Sequence, residues 1–269
     1  MGPLLILVSA TCFGAMAVFG KLAYAAGVPA PTLVLVRFAL ATLVLGAAVL
    51  AVRWRTVRPV LGAEGDTRRR LVVTSVALGA IGYAAQASFY FAAMERIDAA
   101  LVALVLYTFP VLVTLASVAL GRDRLTGARV AALLAATGGT ALVLAGAGAL
   151  SFDAAGVALA FAAAVTYTVY ILVGETTVQQ VPPLVLTALV MAGATVTLAV
   201  RVALTGGLDL DLGAEGWGWI ACIALVSTVV ASTTFFAGLR RTGPSTASIL
   251  STFEPVATVV LAAAVSARG

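Results

Sequence analysis

Seven stretches of this chain run for twenty residues or more without Asp, Glu, Lys or Arg: 1–20, 71–94, 99–121, 130–152, 154–174, 176–200 and 216–239. Two more qualify but for one charge each, 22–52 being interrupted by Arg37 and 242–267 by Glu254. A hydrocarbon core about 30 Å thick is crossed by about 20 apolar residues in a helix, so these are nine candidate membrane spans. Lipid leaves no partner for an unpaired backbone group, and the runs are continuously apolar rather than alternating, which excludes a β-barrel. The fold class is therefore all-α, a polytopic membrane protein. Composition agrees, since 62% of the 269 residues are hydrophobic and 10% charged, whereas a soluble domain carries about 25% charged residues.

The first run lacks the basic region that opens a signal peptide and is longer than a usual signal core, so it reads as a retained helix. The start Met-Gly-Pro-Leu-Leu-Ile lacks the Ser or Thr of a myristoylation site. Numbering the spans 1 to 9, eleven of the sixteen basic residues fall in three loops. These are Arg53, Arg55, Arg58, Arg68, Arg69 and Arg70 after span 2, Arg122, Arg124 and Arg129 after span 4, and Arg240 and Arg241 after span 8. The opposite loops hold Arg96 and Arg201 among Glu95, Asp98, Asp153, Asp209, Asp211 and Glu215. Basic loops stay in the cytoplasm, which places the N-terminus there and accounts for the net charge of +5 without nucleic acid. The loops are too short to hold a soluble domain, so the function resides within the helices.

The chain repeats itself. Shifted by 145 residues, Phe89-Tyr90-Phe91-Ala92-Ala93-Met94-Glu95-Arg96 lies over Thr234-Phe235-Phe236-Ala237-Gly238-Leu239-Arg240-Arg241, and Phe109-Pro110-Val111 falls on Glu254-Pro255-Val256. Span 3 thus corresponds to span 8 and span 4 to span 9. The unit is five helices, an odd number, so the second copy is inverted in the membrane, as in many secondary transporters. The repeats are read as 1–150 (spans 1–5) and 151–269 (spans 6–9). By the same logic the second copy stops about 26 residues short, one helix, so a tenth span is expected to be missing.

Three motifs carry a resemblance to the EamA-type family of the drug/metabolite transporter superfamily. Pro31-Thr32-Leu33-Val34-Leu35-Val36-Arg37-Phe38-Ala39-Leu40-Ala41 resembles its span-2 signature. Thr108-Phe109-Pro110-Val111 through Gly121-Arg122-Asp123-Arg124-Leu125 resembles its span-4 pattern, with Asp123 where Glu is usual. Arg240-Arg241-Thr242-Gly243-Pro244 through Glu254-Pro255-Val256 resembles its span-8 to span-9 pattern. The resemblance implies five-plus-five inverted repeats that move small metabolites, often as an exporter. It does not specify the substrate.

Candidate site residues are the polar groups inside the spans. Arg37 lies about 10 Å into span 2. It reads either as snorkelling or carbonyl-paired, or as an anchor for a substrate anion or a gate. Tyr83, Gln86 and Tyr90 recur at i, i+3 and i+7 on span 3, and Tyr167 and Tyr170 at i, i+3 on span 6, so each set shares a helix face. These faces line a polar cavity or bond helix to helix. Tyr107 precedes the Phe-Pro of span 4 and joins the translocation set. Glu254, taking span 9 as Pro244 to Val265, is about 15 Å from either end and cannot snorkel. An acid there costs about 2.5–3.5 kcal/mol on insertion scales. Ser251, Glu254 and Thr258 would share one face of a continuous helix. The repeat-equivalent of Glu254 is Phe109, so the fold itself asks for no carboxylate at that depth. Lys21 and Glu175, near the ends of spans 1 and 6, read as interfacial anchors. Ala131, Ala135 and Gly139 on span 5 suit close helix packing or a homodimer face.

The chain has no histidine, so it builds neither a Ser-His-Asp triad nor a His-ligated zinc site. Cys12 and Cys222 stand alone in apolar stretches and imply neither metal nor disulfide. No cofactor is implied. Lys21 is the only lysine and is not deep in a late helix, which argues against a retinal protein. The expectation is a carrier of small metabolites, amine-bearing compounds or amino acids among them, in the cytoplasmic membrane. A channel or a structural or receptor-like membrane protein is the alternative. The expected partners are a small-molecule substrate and the lipid bilayer.

Overall fold

The computed structural model describes residues 1–51, 65–145 and 153–266. Arg53, Arg55 and Arg58 of the basic loop, the expected junction of the repeats near residue 150, and Arg268 lie outside the described residues. The described residues form helical rods and no strand. In chain order they are α1 (Gly2–Ala25), α2 (Ala30–Ala51), α3 (Gly65–Met94), α4 in two halves (Ala99–Leu106 and Phe109–Ala119), α5 (Gly127–Ala145), α6 (Ala154–Gln180), α7 (Pro183–Thr205), α8 (Ala214–Thr242) and α9 in two halves (Pro244–Ser251 and Glu254–Ser266). Eight of them are long and apolar enough to cross a membrane; α5, with 19 residues, is outside that count.

The helices follow from apolar runs punctuated by local stop and start signals. Pro183 and Pro244 sit in the first turns of α7 and α9, where a missing N–H costs nothing. Asp153 caps α6 by accepting from the backbone N–H groups of Ala155 and Gly156 at 3.4 and 3.1 Å. Gly243 takes φ +76° in the tight turn between α8 and α9, a conformation open to glycine without strain.

The packing is that of a membrane protein. Large aliphatics such as Leu43, Leu50, Leu134, Leu142 and Leu204 point outward, while Thr32, Ser75, Thr114, Ser117, Ser245 and Ser248 are buried. With lipid outside there is little hydrophobic drive between helices, and close packing of small residues takes its place. The closest approach is between α3 and α7. A Cβ on Gly79 would run into the Val190 carbonyl, and one on Gly193 into the Val76 carbonyl. Across the same layers Thr197 Oγ1 donates to the Ala80 carbonyl at 2.9 Å, and the Thr42 and Thr195 hydroxyls bond at 3.0 Å.

The pairings reproduce themselves when the two repeats are exchanged. α1 packs on α8 and α6 on α3; α1 packs on α9 and α6 on α4; α3 packs on α7 and α8 on α2. The α2–α7 and α4–α9 pairs map onto themselves. That pattern is a pseudo-twofold axis passing between those two pairs, the mark of inverted repeats. Local irregularities obey it too. The break at Tyr107-Thr108 in α4 and that at Thr252-Phe253 in α9 lie 145 residues apart. A π-helical segment interrupts α3 at Leu78–Tyr83 and α8 at Leu225–Val230.

The loops gather at two opposite ends. At one, Arg122 Nη1 donates to the Leu172 carbonyl at 2.9 Å and pairs with Glu175 at 3.4 Å, and Gln179 Nε2 donates to the Arg240 carbonyl at 3.2 Å. At the other, Arg96 pairs with Asp153 at 3.6 Å, and the Asp209 backbone N–H donates to Thr32 Oγ1 at 2.9 Å.

One sequence expectation is corrected here. Ala131, Ala135 and Gly139 do not form a close-packed seam within the chain. All three are exposed, and a Cβ at Gly139 would meet nothing within 4 Å. Ala135 and Gly139 instead line a groove whose opposite wall is Leu7 of α1 and Ile249, Leu250, Phe253 and Val256 of α9, so the helices stand apart along that stripe.

Candidate functional site

The α4 half Phe109–Ala119 packs against the α9 half Pro244–Ser251, and beyond the two breaks the helices part. Ala99–Leu106 turns to α6 and α5, while Glu254–Ser266 turns to α1 and α5. The breaks have a physical cause in Pro110 and Pro255, each at the second position of the following half, where proline ends the preceding helical turn. The divergence opens toward the Arg96–Asp153 end, and the closed half lies toward the Arg122–Glu175 end. Tyr107 and Glu254 stand at the breaks, on the floor between the two.

Aromatic rings lead away from that floor. Phe109 meets Tyr167 edge-on at 4.8 Å between centroids, Tyr167 stacks on Tyr170 at 6.0 Å, and Tyr170 reaches Phe236 at 6.1 Å. Such spacings are those of favourable aromatic pairs. Gly82 admits Tyr170, whose ring carbon would lie 3.3 Å from a Cβ there. Glu254 is within electrostatic reach of Tyr90, Tyr107 and Tyr167, and Tyr83 of Tyr167 and Tyr170. Glu254 itself is half-buried, and its carboxylate makes no hydrogen bond or ion pair with any described residue. Its turn is fixed from behind by α1, since a Cβ on Gly14 would lie 2.9 Å from the Glu254 carbonyl oxygen, and Thr258 Oγ1 donates to the Gly14 carbonyl at 3.1 Å.

Arg37 occupies the wall formed by α2. It is 8% exposed, so it does not snorkel, and it is paired to no carbonyl among the described residues. Nη2 donates to the Tyr83 hydroxyl at 2.9 Å, Nη1 lies against the Met16 sulfur, and the guanidinium carbon sits 4.6 Å from the Phe38 ring centroid.

The polar residues anticipated from sequence thus fall into two groups. Arg37, Tyr83, Tyr90, Tyr107, Tyr167, Tyr170 and Glu254 are linked through rings, a hydrogen bond or electrostatic reach. Ser251 and Thr258 are not part of that set in the way helical spacing implies. The break at Thr252-Phe253 separates Ser251 from Glu254, and Ser251 Oγ bonds the Ala247 carbonyl at 2.9 Å; Thr258 stays in the half-helix of Glu254, but its hydroxyl is spent on the Gly14 and Glu254 carbonyls at 3.1 and 3.0 Å. Gln86 is half-buried and has no hydrogen-bond partner among the described residues, so no helix–helix bond accounts for it. Lys21 is exposed, whereas Glu175 is held by Arg122. Phe109, Phe236, Gly14, Gly82 and Met16 complete the site without having been singled out as members of it. Among the described residues no group of three or more His, Cys, Asp or Glu comes together.

A helical membrane bundle of two inverted repeats, with a charged and aromatic cleft between them, defines the class of polytopic transporters. The chain belongs to the EamA-like transporter family, whose model matches residues 1–145 and again 154–268. The fold is also that of a solved crystal structure, described only as that of a protein, with a TM-score of 0.82 and 24% identity over 98% of this chain and 88% of the other. No curated protein matches the sequence.

Proposed function

We propose that this chain is a secondary transporter that moves small metabolites across the cytoplasmic membrane by alternating access, as an exporter, with its N-terminus in the cytoplasm. It has no catalytic role in this reading. The observation that carries it is the Glu254 carboxylate, unpaired among the described residues, at the floor of a cleft closed at one end and parted at the other. A carboxylate at that depth is expensive to keep and is retained where it meets a substrate or a proton. The surrounding tyrosines suit compounds that bear an amine, amino acids included, because rings and a carboxylate together attract a cation. The packed halves of α4 and α9 below Glu254 support a carrier over a channel, since a channel needs a continuous path. With the basic loops inside, the cleft faces outward. The 1–150 and 151–269 repeats would exchange roles when it faces inward.

Two measurements test this. Cells with and without the protein are compared for the metabolites inside and outside, and one or more small compounds should shift outward when it is present. Identical profiles would overturn the transport reading. Single cysteines in place of Arg69 and Asp209 report the orientation. Only the Asp209 site should react with an impermeant maleimide added to intact cells, and labelling of the Arg69 site instead would reverse the topology.

A further inference from the structure

We propose that Arg37 and Tyr83 form an anion-binding subsite, so that the transported molecule carries a carboxylate or similar small oxyanion in addition to the amine that suits Glu254. The inference rests on the reading of the cleft as a transport site and names the second charge its substrate carries.

The argument starts from an imbalance of charge. A guanidinium is always protonated and presents five N–H donors in a planar fork. Arg37 is 8% exposed, and the groups around it are a phenol oxygen, a thioether sulfur and an aromatic face. None of these carries a negative charge, no described carboxylate pairs with it, and its buried Nε has no hydrogen-bond partner among the described residues. A lone arginine inside a membrane protein is costly to keep unless an anion, water or a cavity meets it. Here an unsatisfied donor remains on a side chain whose geometry matches a carboxylate in a two-point contact.

The surroundings hold that fork in place. Phe38 covers one face of the guanidinium and meets Tyr83 edge-on at 4.9 Å. Tyr83 accepts from Arg37, which leaves its own O–H to donate. It is the last residue of the π-helical segment in α3, a type of irregularity often found at functional sites. The fold does not demand this pair. The matching π-helical segment of α8 ends at Val230, and α7, the counterpart of α2, carries no charge from Pro183 to Val200. One repeat alone bears the cation, as the other alone bears Glu254.

The two poles stand at opposite ends of one row. Arg37 bonds Tyr83, Tyr83 is within electrostatic reach of Tyr167, and Tyr167 is within reach of Glu254. A molecule with both charges would lie along the tyrosines, its acid toward the open end and its amine on the floor.

The test compares metabolite profiles of cells carrying wild-type protein, Arg37→Lys, Arg37→Gln, Tyr83→Phe or no transporter, matched for the amount in the membrane. Compounds whose export depends on the wild type should bear an acid group. Arg37→Gln should lower their export about tenfold or more, the loss expected for a hydrogen bond to a charged group. Arg37→Lys, which keeps the charge, should retain part of it, and Tyr83→Phe should lose severalfold. Exported compounds without an anionic group, or undiminished export by Arg37→Gln, would overturn the subsite while leaving transport intact. If Arg37→Gln fails to reach the membrane, Tyr83→Phe decides, and full export by it refutes the subsite. No wild-type-dependent compound at all would instead refute the transport reading on which this one rests.

Discussion

Gly193→Leu is expected to prevent the chain from reaching its folded state. The Cβ alone would fall on the Val76 carbonyl oxygen and within 3.0 Å of the Ala80 nitrogen. Both are backbone atoms of α3, so no side-chain rotation relieves the clash and the two helices must separate. Separation breaks the reciprocal contact at Gly79 with Val190 and the bond from Thr197 to the Ala80 carbonyl. Overpacking of a core costs about 3 kcal/mol where the surroundings cannot shift. Here it acts on α7, which also packs on α2 and α8. In lipid the loss is not offset by hydrophobic association, because separated helices meet equally apolar lipid. Gly218→Leu is the control, since Gly218 is exposed and a Cβ there meets nothing within 4 Å. Fluorescence-detected size exclusion in mild detergent should give a single peak for Gly218→Leu and loss of that peak for Gly193→Leu. Equal peaks and equal melting midpoints would show that α3 and α7 are not held at this distance.

The features that were legible in sequence are those with a one-dimensional signature. A charge-free run long enough to cross lipid needs no knowledge of its neighbours, and the 145-residue offset placed Phe109 on Glu254, the residues that open the second halves of α4 and α9. The family assignment rested on motifs of the same kind and holds over both repeats. What was not legible depends on where the chain returns. Arg37 and Tyr83 are 46 residues apart, and only the fold brings the guanidinium to the hydroxyl. Helical spacing put Ser251, Glu254 and Thr258 on one stripe because span 9 was treated as continuous. The break before Pro255 takes Ser251 off that stripe, while Thr258 stays in the half-helix of Glu254. The small residues of α5 look like a packing seam from spacing alone, but Ser75–Gly79 and Gly193–Thr197 have the same four-residue spacing, and only the fold shows that Gly79 and Gly193 meet a partner helix.

Glu254→Gln should abolish transport, or its dependence on pH, while leaving the protein folded. The substitution keeps the size and the hydrogen-bonding capacity of the side chain and removes its charge and its proton exchange. Folding should be little affected because the carboxylate holds no described partner, so nothing is left unpaired when the charge goes. Gly14 and Thr258 fix this turn through backbone atoms that the change does not touch. Phe109 at the equivalent position shows that the repeat is built without an acid there. A substrate amine facing this group in a desolvated cleft would lose a charge pair worth about 2 kcal/mol or more, roughly thirtyfold in apparent affinity. If Glu254 instead carries the driving proton, wild-type flux varies with pH as the carboxyl loads and unloads, and the glutamine variant shows a flat profile at every pH. Flux of a compound identified by the profiling experiment, followed in proteoliposomes from about pH 4 to pH 9, upward from the ordinary carboxylate range, separates the two roles. A variant with wild-type flux and wild-type pH dependence would remove Glu254 from the transport cycle. A melting midpoint that falls together with activity would assign it to closing the bundle.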